Sequence, residues 1–249
     1  MKKIAAAVLV LLLLGVLLSE PISRAYQDIS AALSEKSHRY EHEYFIENRD
    51  ELTARAPNID TGDWKLRLVN SENYIPDSFF VQTAVSSDEH LFDERAVTAL
   101  DEMLDAGRNA GMQLVLTSAY RSISYQDTLF RNKVSSIISE TGLSRAAAEK
   151  EAARIVARPG SSEHNLGLAA DIVCENYNIL DEGYANTAEA LWLRENCADF
   201  GFILRYDRGK EDITGVIFEP WHFRYVGTEA AQFIMAEGLC FEEFLSLYK

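Results

Sequence analysis

Ser162-Glu163-His164-Asn165-Leu166-Gly167-Leu168-Ala169-Ala170-Asp171 decides the fold when read with Glu219-Pro220-Trp221-His222. Two imidazoles, His164 and His222, and one carboxylate, Asp171, form the three-ligand set of a catalytic zinc, with a fourth position left for water. The chain has only five histidines, and two of them fall inside these segments. His164 and Asp171 are seven residues apart, which on one extended strand would exceed about 20 Å. The spacing therefore predicts a turn between them, and Gly167 supplies a place for it. Ala169 and Ala170 are small enough to let backbone approach beside the metal, and Ile172-Val173-Cys174 continues from Asp171 as an apolar strand. Glu219 stands three residues before His222, where a carboxylate can serve as general base to the water. Its alternative role is to orient His222. Val216-Ile217-Phe218 reads as a strand that delivers this pair, with Pro220 bending the chain between them.

Working outward, Trp64 to Asn70 alternates apolar and polar residues as a half-buried strand does. Helical spacing runs from Asp93 to Ala110 and stops before Gly111. Met112 to Thr117 reads as a strand leading into Ser118-Ala119-Tyr120-Arg121-Ser122. Helices are expected over Ile123 to Glu140 and Ser144 to Ala157, with Pro159-Gly160 breaking the chain before the histidine motif. A strand from Leu168 to Val173 and a helix from Thr187 to Phe200 follow. Phe202 to Tyr206 and Gly215 to Glu219 then read as paired strands. The class is α+β, with a central, mostly antiparallel sheet flanked by helices. Arg121, at a strand end, can stabilise an oxyanion or clamp a substrate carboxylate, and Gln126 can face the same cleft. Arg224, just after His222, reads as a structural ion-pair partner.

Three ordered segments together resemble the VanY-type D-alanyl-D-alanine carboxypeptidases. They are Ser118-Ala119-Tyr120-Arg121-Ser122 with Gln126-Asp127-Thr128-Leu129-Phe130, the histidine motif, and Glu219-Pro220-Trp221-His222-Phe223-Arg224-Tyr225-Val226-Gly227. That zinc peptidase group also contains LD-carboxypeptidases and the fold relatives of Hedgehog signalling domains. The resemblance runs from about Leu66 to Gly227 and takes in Gly201 to Tyr206 and Gly209-Lys210-Glu211. It implies one zinc on His164, Asp171 and His222, Glu219 as base, and Arg121 at the scissile carbonyl. Ser162, Gln126 and Tyr206 would meet the terminal D-alanine or its carboxylate, with Ser118 and Trp221 as further substrate-side residues. The implied activity removes the terminal D-Ala from peptidoglycan stem peptides. Cleavage one residue earlier, by an LD-carboxypeptidase, needs the same machinery. A wall-binding module without turnover has no use for Glu219 and Arg121.

The chain opens Met1-Lys2-Lys3 and runs apolar from Ile4 to Leu18, the pattern of a signal peptide or an N-terminal anchor over residues 1–25. Fifteen helical residues span roughly 22 Å, short of the roughly 30 Å hydrocarbon core. Export to the cell-wall side is expected, with a membrane partner if the segment is retained. Residues 26–63 read as a helical stalk and linker, or as a helix packed on the domain itself, and 64–249 as the peptidase domain. The 24 basic against 39 acidic side chains give a formal charge of −15, which argues against nucleic acid as a partner. Cys174, Cys197 and Cys240 lack metal-ligand spacing and permit at most one disulfide; buried small side chains is the reading.

Overall fold

Alternation along one central strand organises the molecule, whose computed structural model describes residues 44–249. The leader expected at 1–25 and the first part of the segment 26–63 lie outside the described residues. Among the described residues no helix is long and apolar enough to cross a membrane. The first helix, α1 (44–55), buries Phe45 and Leu52 in an apolar cluster with Ile234, Phe241 and Phe244, so this part of the expected stalk lies against the domain.

A hairpin, β1 (Thr83–Val85) with β2 (Leu91–Asp93), precedes α2 (Val97–Asn109). Next come β3 (Leu114–Ser118), α3 (Ile123–Thr141), α4 (Arg145–Ala152) and β4 (Ala169–Cys174). The chain closes with α5 (Ala188–Asn196), β5 (Phe202–Leu204), the short α6 (Glu211–Thr214), β6 (His222–Tyr225), α7 (Thr228–Ala236) and α8 (Phe241–Ser246). The main sheet is antiparallel with strand order β3-β4-β6-β5. This is the expected α+β architecture.

Period-two alternation sorts the side chains of β4. Ala170 and Ile172 join the principal core with Leu100, Met103, Phe202 and Phe223. Asp171 faces the other way, into a cleft. Both faces are covered, so all six residues of β4 are buried. One wall of the cleft is α3. Its ends follow from sequence: the Ser122 hydroxyl accepts from the amide of Tyr125, and Gly142 closes the helix in the left-handed region.

Two expected strands are absent. Trp64–Leu66 is a turn of 3-10 helix, and Arg224 donates to the carbonyls of Lys65 and Arg67, so a buried cation rather than a neighbouring strand satisfies this backbone. Residues 215–219 form no strand either. The partner of β5 is β6, with Phe202 opposite Tyr225 and Leu204 opposite Phe223. Pro220 and the turn from the His222 amide to the Glu219 carbonyl delay strand pairing until His222. The expected helices match α2 to α5. The β1–β2 hairpin and the terminal pair α7 and α8 had no counterpart in the sequence reading. All three cysteines are free and buried.

Candidate active site

Strand register brings the metal-binding groups together. Asp171 on β4 pairs directly with His222 on β6, and Ser118 on β3 pairs with Asp171 on its other side. His164 arrives from a 3-10 turn, Glu163–Leu166, closed by Gly167 at φ +72°. A β-carbon at Gly167 would lie 3.0 Å from the Asp93 amide nitrogen, which itself donates to the Gly167 carbonyl. This position therefore needs glycine both for its dihedral and for the close approach.

One nitrogen or oxygen from each of His164, Asp171 and His222 falls within 4.8 Å of the others, and all three residues are buried. His164 Nε2 is 3.2 Å from Asp171 Oδ2, and His222 Nδ1 is 3.0 Å from Asp171 Oδ1. Ligands at ~2.0–2.1 Å around a tetrahedral zinc lie about 3.3 Å apart, so these edges fit the ion. The remaining ring nitrogens are engaged from behind. His164 Nδ1 is 2.6 Å from the Ala119 carbonyl, and His222 Nε2 is 3.5 Å from Glu163 Oε2. Such partners fix ring orientation and tautomer at metal sites.

The two rings differ in their electrostatics. Burial presses the His164 imidazole down to about 4, so it is neutral near pH 7, as a ligand must be. At His222 burial also opposes the charge, but the Asp171 and Glu163 carboxylates outweigh it and hold the ring up at about 9. A cation at Nδ1 must displace that proton, which makes metal binding proton-linked. Burial pushes the Glu219 carboxyl up to about 8, against the pull of His222 and with a push from Asp171. Burial thus strengthens the Glu219 carboxylate as a base, the direction a proton-accepting group needs. Glu219 Oε2 lies 3.8 Å from His222 Nδ1, at the edge of the ligand set. With His164→Ala, metal analysis is expected to show loss of stoichiometric zinc; full occupancy in that variant would remove His164 from the ligand set.

The cleft measures about 550 Å³, and the three ligands and Glu219 line it together with Arg121, Gln126, Ser162, Tyr206 and Trp221. Arg121 donates from Nη2 to Asp171 Oδ2 and from Nε to the Ser118 hydroxyl at 2.7 Å. Ser118 thus acts behind Arg121 and is not on the cleft lining. Gln126 donates to the Ala157 carbonyl at 2.8 Å, while its buried Oε1 has no partner among the described residues. The Tyr206 ring lies 4.9 Å from that of His222. Burial keeps its hydroxyl well above the usual phenol range. Trp221 is buried in a cluster with Val173, Cys174 and Tyr184.

Glu163 has a role that the sequence does not announce. It is fully sequestered, and its Oε1 accepts from Arg205 Nε and Arg224 Nη1, both at 2.8 Å. Arg205 continues to Glu242 on α8 through two parallel bonds of 2.9 and 2.7 Å. Burial opposes ionisation of Glu163, yet the two guanidinium groups and His222 hold its carboxyl far below the usual range. The structural role expected of Arg224 is the one it has. An acid directly beside a candidate ligand histidine is the signal the sequence offers, but nothing local to the motif names its distant arginines.

Comparison with known proteins adds the family. A family model described as VanY, D-alanyl-D-alanine carboxypeptidase, matches residues 89–228, which include all three ligands and Glu219. A D-alanyl-D-alanine carboxypeptidase of Enterococcus faecalis is 41% identical over 191 residues, covering 76% of this chain and 69% of that protein. The chain belongs to the VanY family. The solved structure of VanYB in complex with D-alanine-D-alanine superposes with a TM-score of 0.68 at 40% identity, covering 75% of this chain and 100% of that one. A mutant of the VanB-type VanY, solved in complex with Zn(II), gives 0.66 at 40% identity, covering 74% and 99%. The LD-carboxypeptidase LdcB gives 0.64 at 35% identity, covering 73% and 85%. This VanY-family chain is a zinc metallocarboxypeptidase, and its ligand set fits that ion.

Proposed function

We propose that this chain is an exported DD-carboxypeptidase that removes the terminal D-alanine from peptidoglycan stem peptides. The observation behind this reading is Glu219 beside a buried His-Asp-His set at the head of a cleft that also holds a guanidinium. The relatives named for D-alanyl-D-alanine and solved with that dipeptide support the substrate class. Bound zinc supplies a Lewis acid and a water of lowered pKa. Glu219 takes the proton of the attacking water and returns it to the amine of the departing D-alanine. Arg121, steadied by Ser118 and Asp171, offers its remaining N–H groups to the developing oxyanion or to the terminal carboxylate. The free atom of Gln126 is an acceptor, which suits a substrate N–H and would repel a carboxylate. Ser162, Tyr206 and Trp221 complete the wall around the terminal residue. Export rests on the basic start and apolar run of residues 1–25, which either anchors the protein at the membrane or is removed.

Mass spectrometry of muropeptides incubated with the purified protein tests this. Pentapeptide stems are expected to become tetrapeptides with loss of one alanine. Tetrapeptides becoming tripeptides would instead establish LD-carboxypeptidase activity, the reading favoured by the likeness to LdcB. A C-terminally amidated D-Ala-D-Ala peptide is expected to react far more slowly than the free acid, and equal rates would overturn exopeptidase recognition.

A further inference from the structure

The cleft continues beyond the metal end along α3, where Gln126, Leu129, Lys133 and Ser136 line it at helical spacing. Every other charged residue on the cleft lining belongs to the site already described: Arg121, Glu163, Asp171 and Glu219, with the two histidines. Lys133 is the exception. It is half-buried, and it has no hydrogen-bond or ion-pair partner among the described residues. Its own helix offers none, because the positions three and four residues away hold Leu129, Phe130, Ser136 and Ile137. A chain of formal charge −15 has acids to spare, yet its outer cleft presents one unpaired ammonium. The rest of that outer wall is neutral, with Ile155, Val156, Leu180 and Ile217 among its members.

The distance from Gln126 to Lys133 sets the scale. Seven residues of helix rise about 10 Å at ~1.5 Å each, and an extended peptide advances ~3.4 Å per residue. If Gln126 meets the terminal residue, Lys133 stands opposite a position two to three residues upstream. We propose that Lys133 is a specificity subsite for a free carboxylate borne by the stem peptide at that upstream position, so that the enzyme selects unamidated stems. The inference rests on the carboxypeptidase reading for its register. Two sources share this chemistry, the α-carboxylate of a γ-linked glutamyl residue and the side-chain carboxylate of a diaminopimelyl residue.

The test uses the full-length zinc-loaded protein and two matched pairs of stems ending in D-Ala-D-Ala. One pair differs only in amidation of the glutamyl α-carboxylate, with lysine as the third residue. The other pair differs only in amidation of the diaminopimelyl carboxylate, with the glutamyl carboxylate blocked. Wild-type KM is expected to be about five- to tenfold lower for the free acid in one pair, with kcat little changed. Lys133→Ala is expected to erase that difference by raising KM on the free acid alone, and Lys133→Arg to restore it. The pair that responds identifies the source. No preference in either pair, or an equal KM rise on free and amidated stems, overturns the proposal. An acetylated tripeptide ending in D-Ala-D-Ala, with no upstream carboxylate, reports on the carboxypeptidase reading separately and is expected to be cleaved equally by wild type and Lys133→Ala. If nothing is cleaved, calorimetric binding of the same pairs still decides between a Lys133-dependent preference and none.

Discussion

Glu219→Gln is expected to lower kcat by ~10²–10⁴-fold while leaving zinc stoichiometry and thermal stability near wild type. The amide preserves side-chain volume in a buried position, so the cleft need not reorganise. It cannot accept a proton, so the attacking water keeps its own and the leaving amine receives none from this side chain. Glu219 lies next to His222 Nδ1 but outside the ligand set, which is why metal retention should accompany the loss of turnover. Rate assays beside metal analysis of the same preparation separate the two possibilities. A variant close to wild type in rate would reduce Glu219 to a partner that orients His222.

Glu163→Ala is expected to cost about 3–5 kcal/mol of folding stability, measured by urea unfolding, because it leaves buried positive charge uncompensated. Glu163 and Glu242 balance Arg205 and Arg224 in the folded protein, and both arginines donate to the same Glu163 oxygen. Removing that oxygen strands Arg224, whose other hydrogen bonds go to backbone carbonyls, and halves the neutralisation of Arg205. The same substitution frees His222 Nε2 and is expected to weaken zinc affinity by about 10–100-fold, as loss of such a supporting partner does elsewhere. Unchanged stability would mean that the arginines find solvent or other acids. Unchanged zinc affinity would mean that the 3.5 Å approach to His222 contributes no orientation.

The two predictions differ in how visible their residues were beforehand. Glu219 announces itself because the candidate base and a candidate ligand, His222, sit three residues apart in one segment, so local spacing alone places them together. His164 and Asp171 are likewise joined by a short loop whose glycine marks the turn. Helices α2 to α5 were legible for the same reason, since apolar periodicity and caps act within a few residues. Strand partnership was not legible. The apolar run at 216–218 looked like a natural mate for β5, but pairing depends on which strand's register buries the right faces. Here β6 takes that place and sets His222 opposite Asp171.

By itself the sequence named the zinc and the family and put forward the candidate ligands and the candidate base, because each motif is written in residues close along the chain. Tertiary structure alone decided that Arg121 leans on Asp171, that Glu163 anchors two arginines, one of them reaching to α8, and that Lys133 stands on the cleft wall with no ion-pair partner among the described residues. Those facts turn on which charges end up opposite one another after burial, and desolvation makes that choice over distances in sequence that no local pattern records.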